Sequence, residues 1–284
     1  MHTTRFAPSP TGLLHLGHAF AAITAYQAAD GGTFLLRIED LDRGRARAEY
    51  EAAIEEDVAW LGLSWEQPVL HQSARFEVYR SALAVLADQG LLYPCFCTRK
   101  EIAAEVTRAA EAPHRSDYGL YPGTCRNFSA ADRERYVARG QPYVIRLDTT
   151  KAAAQAGPLS FMELGEGPDA EQGIICVNPT LLGDIVLARK DIPVAYHLAV
   201  VVDDAFQGIT LVTRGNDLFA ATHVQRLLQA LLKLPAPLYA HHRLILDARG
   251  RKFSKRDQAV TLRSLREQGV NSSEIRRRLE CVGL

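Results

Sequence analysis

His15-Leu16-Gly17-His18 sets two imidazoles three residues apart around a glycine, at the start of a helical pattern. Glycine lets the backbone approach a bound group closely, and a helix start favours anions. Two histidines at this spacing can reach one polyphosphate and stabilise charge growing on it. Far along the chain, Lys252-Phe253-Ser254-Lys255-Arg256 follows Gly250-Arg251. Lysines on such a loop can clamp a triphosphate and follow charge onto a leaving pyrophosphate. Each stretch also has a plainer reading, as a histidine pair packed at a helix start or a solvated basic loop. A third group is Cys95-Phe96-Cys97 with Cys125. Three thiols this close suggest a structural tetrahedral zinc site, for which His114 is the conventional fourth ligand; three buried free thiols are the alternative.

These groups need elements to position them. "HAFAAITAYQAAD", ended by Gly31-Gly32, reads as a helix of small and apolar residues, and "TFLLRIED" after it as a buried strand. With a first strand near Thr3 to Ala7, the opening is strand, helix, strand, which predicts a parallel sheet with right-handed crossovers. "EYEAAIEEDVAWLGL" and "RFEVYRSALAVLADQGLL" read as amphipathic helices. From Tyr93 the spacing turns irregular and cysteine-rich, as expected of an insertion; it contains a helix start at Ser129 with Asp132 and strands at "YVIRLD" and "LSFMEL". The sheet is expected to resume at "GDIVLARKD", followed by an apolar helix at "AYHLAVVVDDAFQG", a strand at "ITLVTRG" and a helix from Asn216 or Asp217. Two short helices close the chain, with Asn271 to Glu274 resembling a capping box.

The chain has 284 residues, enough for one large domain or two modest ones, and its 47% hydrophobic and 23% charged content is that of a soluble globular protein. No apolar run reaches membrane-spanning length, and prolines and histidines interrupt the opening stretch where a secretory leader would be unbroken. The 33 basic residues balance 33 acidic ones, so nucleic-acid binding would require spatially sorted charge. Five cysteines without a leader point to a reducing cytoplasm, where metal ligation or inert burial precedes disulfides. Cys176 and Cys281 have no partners in sequence and read as buried or unpaired.

Taken together, HLGH and KFSKR resemble the paired HIGH and KMSKS signatures of class I aminoacyl-tRNA synthetases, in the right order on a βαβ-patterned chain. "RFAPSPTGLLHLGHA", "RIEDLD" and "YHLAVVVDDAFQGITLVTRGNDL" sharpen the resemblance to the glutamyl-tRNA synthetase family, from Thr4 to about Ala259. The resemblance implies a Rossmann-type α/β catalytic domain in two halves, 1–92 and 184–241. It further implies a zinc-containing α+β insertion at 93–183 and a loop with a short helical tail at 242–284. It assigns glutamate binding to Arg5, Phe6, Ala7, Pro8, Ser9, Glu39, Tyr196 and Arg214. Arginine pairs bidentately with carboxylate, a glutamate side chain can hold an ammonium, and tyrosine can donate from an apolar wall. ATP binding falls to His15, Gly17, His18, Lys252, Ser254 and Lys255, with His15, His18 and Lys255 catalytic. The resemblance favours Tyr121 over His114 as fourth zinc ligand with Cys95, Cys97 and Cys125.

Phe253, Arg256 and "RGNDL" depart from the family's usual residues, but the lysines are kept. The larger departure is length: the chain stops about thirty residues past Lys255, with no obvious anticodon-binding domain. This resembles the short branch of the family. That branch activates L-glutamate with ATP and Mg2+, without tRNA, and esterifies the cyclopentenediol of queuosine at the wobble position of tRNA(Asp). The chain is then expected to be a cytoplasmic ligase, a monomer, without membrane association, carrying one structural Zn2+. The alternatives are a minimal enzyme charging the 3′ end of tRNA(Glu), a non-catalytic paralogue, and an HxGH nucleotidyltransferase acting on another acid. Retention of HLGH, Glu39 and Lys255 argues against the paralogue, and "RIEDLD" with the KFSK loop against the nucleotidyltransferase.

Overall fold

The computed structural model describes residues 1–98, 100–102, 121–189, 193–245 and 260–280. Strands β1 (Thr3–Phe6), β2 (Thr33–Ile38) and β3 (Glu66–His71) run parallel, in the order β1-β2-β3. β9 (Leu211–Gly215) and β10 (Leu238–His242) run parallel to each other and to β6 (Ser160–Glu163), with β7 (Gly173–Cys176) antiparallel at the edge. The two groups abut: Thr210 N–H donates to the Thr3 carbonyl at 3.0 Å, and Thr3 N–H donates to Thr210 Oγ1 at 3.0 Å. The α/β class expected from the sequence is the one found.

Helix α1 (Leu16–Ala28) lies against β1 and β9, where its row of alanines allows close approach and Thr4 Oγ1 donates to the Ala25 carbonyl at 2.7 Å. It ends where Gly31 takes the left-handed φ of 72°. Helices α2 (Ala48–Trp60), α3 (Phe76–Asp88), α6 (Tyr196–Phe206) and α7 (Phe219–Leu231) follow their predicted segments. Apolar side chains form two main clusters. One joins α1 and α2 to β1, β2 and the closing helices α8 (Leu262–Glu267) and α9 (Ser272–Glu280); the other joins α3, α6 and α7. Ser129 caps α4 (Ala130–Ala138) through Asp132 N–H, and Asn271 Oδ1 accepts from Glu274 N–H at 2.9 Å, as their sequence signals predict.

Two strand placements differ from expectation. β8 (Val186–Arg189) does not rejoin the parallel sheet. It pairs antiparallel with β5 (Val144–Leu147), which pairs with β4 (Leu92–Cys95) in a separate sheet. Conversely β6, inside the segment expected to be inserted, enters the parallel sheet beside β10. Short apolar strands carry no mark of which sheet receives them, because pairing is decided by distant partners. The sequence reading also passed over β3, β4, β7, β10 and α5 (Thr149–Ala156). Among the described residues, no helix is long and apolar enough to cross a membrane.

Candidate active site

In an open parallel sheet, ligands bind beyond the carboxyl ends of the strands, where the connections diverge to either side. Here that point lies between β1 and β9, and a cleft of 670 Å³ opens there. The segment after β1 supplies Arg5, Phe6, Ala7, Pro8 and Ser9, the end of β2 supplies Glu39, α6 supplies Tyr196, and β9 supplies Thr213 and Arg214. All eight residues that the sequence assigned to glutamate therefore line one cleft. His18 of α1 lines it too, with Asp42 and Arg45 at the rim.

Arg5 is 5% exposed, and its guanidinium is held on three sides. Nε donates to Asp204 Oδ1 at 2.9 Å, Nη2 to Asp204 Oδ2 at 3.4 Å, and Nη1 to the Thr213 carbonyl at 3.3 Å. Asp204 Oδ1 also accepts from Arg37 Nη1 at 2.7 Å, while Arg37 Nη2 donates to Glu39 Oε1 at 3.3 Å. A chain of alternating charge thus runs Arg5–Asp204–Arg37–Glu39 beneath the cleft. Burial alone would push the Asp204 carboxyl up, but the Arg5 and Arg37 charges outweigh it and hold it below the usual range. Glu39 is pushed up, because burial there exceeds the pull of Arg37 and Arg5.

Arg214, 6% exposed, is held as firmly by neutral partners. Nη1 donates to Gln225 Oε1 at 2.7 Å, Nη2 to Thr222 Oγ1 at 2.7 Å, and Nε to His241 Nε2 at 3.2 Å. Among the described residues no carboxylate pairs with Arg214, so its charge is left to face the cleft. Burial and this charge push His197, next to Tyr196 on α6, down to about 4, so its ring is neutral at physiological pH.

His15 caps α1. Its Nδ1 accepts from Gly17 N–H at 3.1 Å, while His18 Nδ1 accepts from His15 N–H at 3.2 Å, and the ring centroids lie 3.8 Å apart. Backbone N–H can only donate, so in each neutral ring the proton sits on Nε2. Gly17 permits this packing: a Cβ there would lie 3.1 Å from His15 Cε1 and 3.2 Å from Nδ1. The spacing of HLGH is thus the spacing of a reciprocal helix cap. Lys252, Ser254 and Lys255 lie outside the described residues. Thr261 forms an antiparallel bridge with His15, and Leu262 N–H donates to the Leu14 carbonyl at 2.8 Å.

Away from the cleft, the sulfurs of Cys95, Cys97 and Cys125 lie within 4.8 Å of one another. Cys97 Sγ is 3.4 Å from Cys125 Sγ and 3.8 Å from Tyr121 Oη. Tetrahedral thiolates at about 2.3 Å from zinc stand roughly 3.8 Å apart, so this donor set fits such an ion. Phe96 N–H donates to Cys125 Sγ at 3.4 Å, the kind of outer bond that orients a ligand. Burial, then the Cys125 contact, pushes the Cys97 thiol up to about 12, and a bound cation would offset that cost of ionisation. His114 lies outside the described residues, as does Cys281; Cys176 is an exposed free thiol.

Arg37, Asp204, Thr222, Gln225, Glu163 and His241 support the cleft, and sequence reasoning missed them as site residues. One signal was available: two adjacent aspartates inside the apolar helix "YHLAVVVDDAF" must be buried, and buried carboxylates require cationic or hydrogen-bonding partners. Asp203 has them in Gln72, Arg75 and Tyr79.

Comparison with known proteins agrees with this architecture. Residues 2–284 match the family of class I tRNA synthetases (E and Q), catalytic domain, and the chain belongs to that family. It is 47% identical over 281 residues to the glutamyl-Q tRNA(Asp) synthetase of Rhodobacter capsulatus, covering 96% of this chain and 98% of that one. It is 40% identical over 270 residues to the glutamate–tRNA ligase of Aquifex aeolicus, covering 94% of this chain and 54% of that one. The glutamate-tRNA synthetase structure from Elizabethkingia anophelis superposes with a TM-score of 0.73 at 29% identity over 90% of this chain, which spans 53% of that structure.

Proposed function

We propose that this chain activates L-glutamate with ATP, without tRNA, and transfers the glutamate to the cyclopentenediol of queuosine at the wobble position of tRNA(Asp). The observation that carries the activation step is the pairing of Arg5 and Arg214, two buried guanidiniums, with Glu39 around one cleft. That set complements a ligand with two carboxylates and one ammonium. The acceptor is inferred from the name of the Rhodobacter capsulatus relative, which this chain matches over nearly its full length.

The reaction needs little acid–base chemistry. Arg5 and Arg214 anchor the carboxylates, Glu39 holds the ammonium, and Tyr196 closes the apolar wall. A carboxylate oxygen of the α-carboxyl attacks the α-phosphorus of ATP, the bond to the bridging oxygen breaks, and pyrophosphate leaves. Catalysis is positioning plus charge stabilisation, for which His15, His18, Lys252 and Lys255 are the phosphate-side groups. Mg2+, when bound, neutralises the polyphosphate. A hydroxyl of the cyclopentenediol then attacks the mixed anhydride, forming an ester and releasing AMP. Cys95, Cys97, Tyr121 and Cys125 would hold a structural zinc that ties β4 to the 3-10 turn Thr124–Asn127. We keep the fourfold division of the chain, with β6 and β7 assigned to the catalytic sheet and β8 to the inserted segment's sheet, and place the reaction in the cytoplasm with its tRNA.

The test has two stages. ATP–pyrophosphate exchange across a panel of carboxylic acids should proceed with glutamate alone and without tRNA; exchange driven only by another acid refutes the activation reading. Labelled glutamate is then offered to tRNA pools with and without queuosine. Base-labile labelling confined to tRNA(Asp) in the queuosine pool supports the acceptor, and equal labelling of tRNA(Glu) in both pools replaces it with a minimal charging enzyme.

A further inference from the structure

Glu163 ends β6 and His241 lies on β10, far from each other in sequence and absent from the lining of the cleft. Both are buried, and they meet through a bond of 2.6 Å between His241 Nδ1 and Glu163 Oε2. The opposite ring nitrogen receives Arg214 Nε at 3.2 Å, and Thr222 Oγ1 lies 3.2 Å from the same nitrogen, placed to donate its hydroxyl hydrogen. An arginine Nε carries a hydrogen and has no acceptor capacity, so His241 Nε2 must be unprotonated. The ring proton therefore sits on Nδ1 and is donated to Glu163. Glu163 Oε1 in turn accepts from His241 N–H at 2.8 Å and Gly165 N–H at 2.9 Å, so the carboxylate is held at both oxygens.

We propose that Glu163 and His241 are positioning residues for glutamate recognition: they lock the imidazole in one tautomer so that it can hold Arg214 with its fork facing the cleft. The proposal rests on the glutamate-activation reading and deepens it. Arginine has five N–H donors. His241 takes Nε–H, Gln225 one hydrogen of Nη1, and Thr222 one hydrogen of Nη2. One hydrogen remains on each terminal nitrogen, the pair that an end-on bidentate carboxylate requires. Without His241 the guanidinium can roll about its stem, and the remaining donors no longer present as a pair.

The arrangement also makes carboxylate binding sensitive to protons. Among the described residues, the charged and titratable groups around His241 are Glu163 on β6, Arg214 on β9, His223 on α7, and Tyr239 and His242 on its own strand. A second proton on the ring would set two N–H groups against each other 3.2 Å apart and place an imidazolium beside a guanidinium. Protonation therefore releases Arg214 from its anchor, and glutamate affinity should fall as pH falls through the range in which this histidine charges.

The experiment compares wild type, His241→Leu, His241→Gln and Glu163→Gln in glutamate-dependent ATP–pyrophosphate exchange, with KM and kcat determined across pH. We expect His241→Leu to raise KM for glutamate about tenfold or more while KM for ATP stays near wild type. His241→Gln, whose amide oxygen can replace Nε2 as acceptor, should recover most of the loss and reduce the acid-side rise in KM to the part that Glu39 contributes. Glu163→Gln should shift that rise toward higher acidity, because the neutral amide stabilises the imidazolium less. Imidazole 15N NMR of the wild type supplies a reading independent of catalysis and should show the neutral Nδ1–H tautomer. An Nε2–H tautomer, an unchanged glutamate KM in His241→Leu, or an acid limb in His241→Gln as large as that of wild type overturns the proposal. Absence of glutamate-dependent exchange in the wild type overturns the activation reading instead, and the NMR result then decides the tautomer lock by itself.

Discussion

Asp204 receives Arg5 through both carboxylate oxygens, Nε to Oδ1 at 2.9 Å and Nη2 to Oδ2 at 3.4 Å, in a contact where neither side chain exceeds 8% exposure. The same carboxylate neutralises Arg37, so one anion serves two buried cations. Removing it leaves Arg5 without its carboxylate partner and Arg37 with Glu39 alone. Asp204→Asn is expected to lower unfolding free energy by about 3–5 kcal/mol and to weaken glutamate binding, because Arg5 loses its orientation. Denaturant unfolding and the glutamate KM in pyrophosphate exchange measure the two effects, and a variant as stable as wild type contradicts this account of the network.

Gly17 separates stability from activity. Alanine is the better helix former by about 1 kcal/mol, but its Cβ would press on the His15 ring at 3.1 Å. Gly17→Ala should therefore keep the thermal midpoint near wild type while lowering exchange about tenfold or more through displacement of His15. A fully active variant would show that His15 does not need its capping position.

Lys255 is expected to follow charge onto the leaving pyrophosphate. Lys255→Ala should abolish exchange while leaving the circular dichroism spectrum and thermal midpoint unchanged. Normal exchange in this variant refutes the phosphate-side role.

Asp57 on α2 is buried, and its carboxyl is pushed up to about 6, by burial first, against the pull of Arg266 and Arg263. Its folded pKa lies above its unfolded value, so the neutral acid favours the native state. That contribution is present below about pH 4 and is lost as pH rises toward the folded value. Asp57→Asn should accordingly raise the thermal midpoint at neutral pH and change it little in acid. Thermal scans at both ends of the range test the sign; a loss of stability at neutral pH would mean that the Arg266 contact at 3.3 Å outweighs the burial.

The three-thiol cluster predicts about one zinc per chain in protein purified without added metal. Elemental analysis should find it, Cys125→Ser should lose it, and chelation should lower the stability of the β4–β5–β8 sheet seen by hydrogen exchange. Metal-free wild type with normal stability would leave the cysteines as plain thiols.

By itself, the sequence determined the groups that carry local signals. HLGH is a reciprocal cap with a glycine that admits the ring, so its spacing reflects bonds within four residues. The cysteines, the cap at Ser129 and the period of the long helices are local in the same sense, and Arg5, Glu39, Tyr196 and Arg214 could be named from contiguous motifs. Which sheet receives a short strand is a different matter: β8 left the parallel sheet and β6 entered it, because strand pairing is set by partners distant in sequence. The supports of the cleft lie further still from any local signal. Asp204 is 199 residues from Arg5, and Glu163 is 78 from His241. Nothing near an aspartate in an apolar helix says which guanidinium will meet it; only folding brings the two charges together where neither can be buried alone.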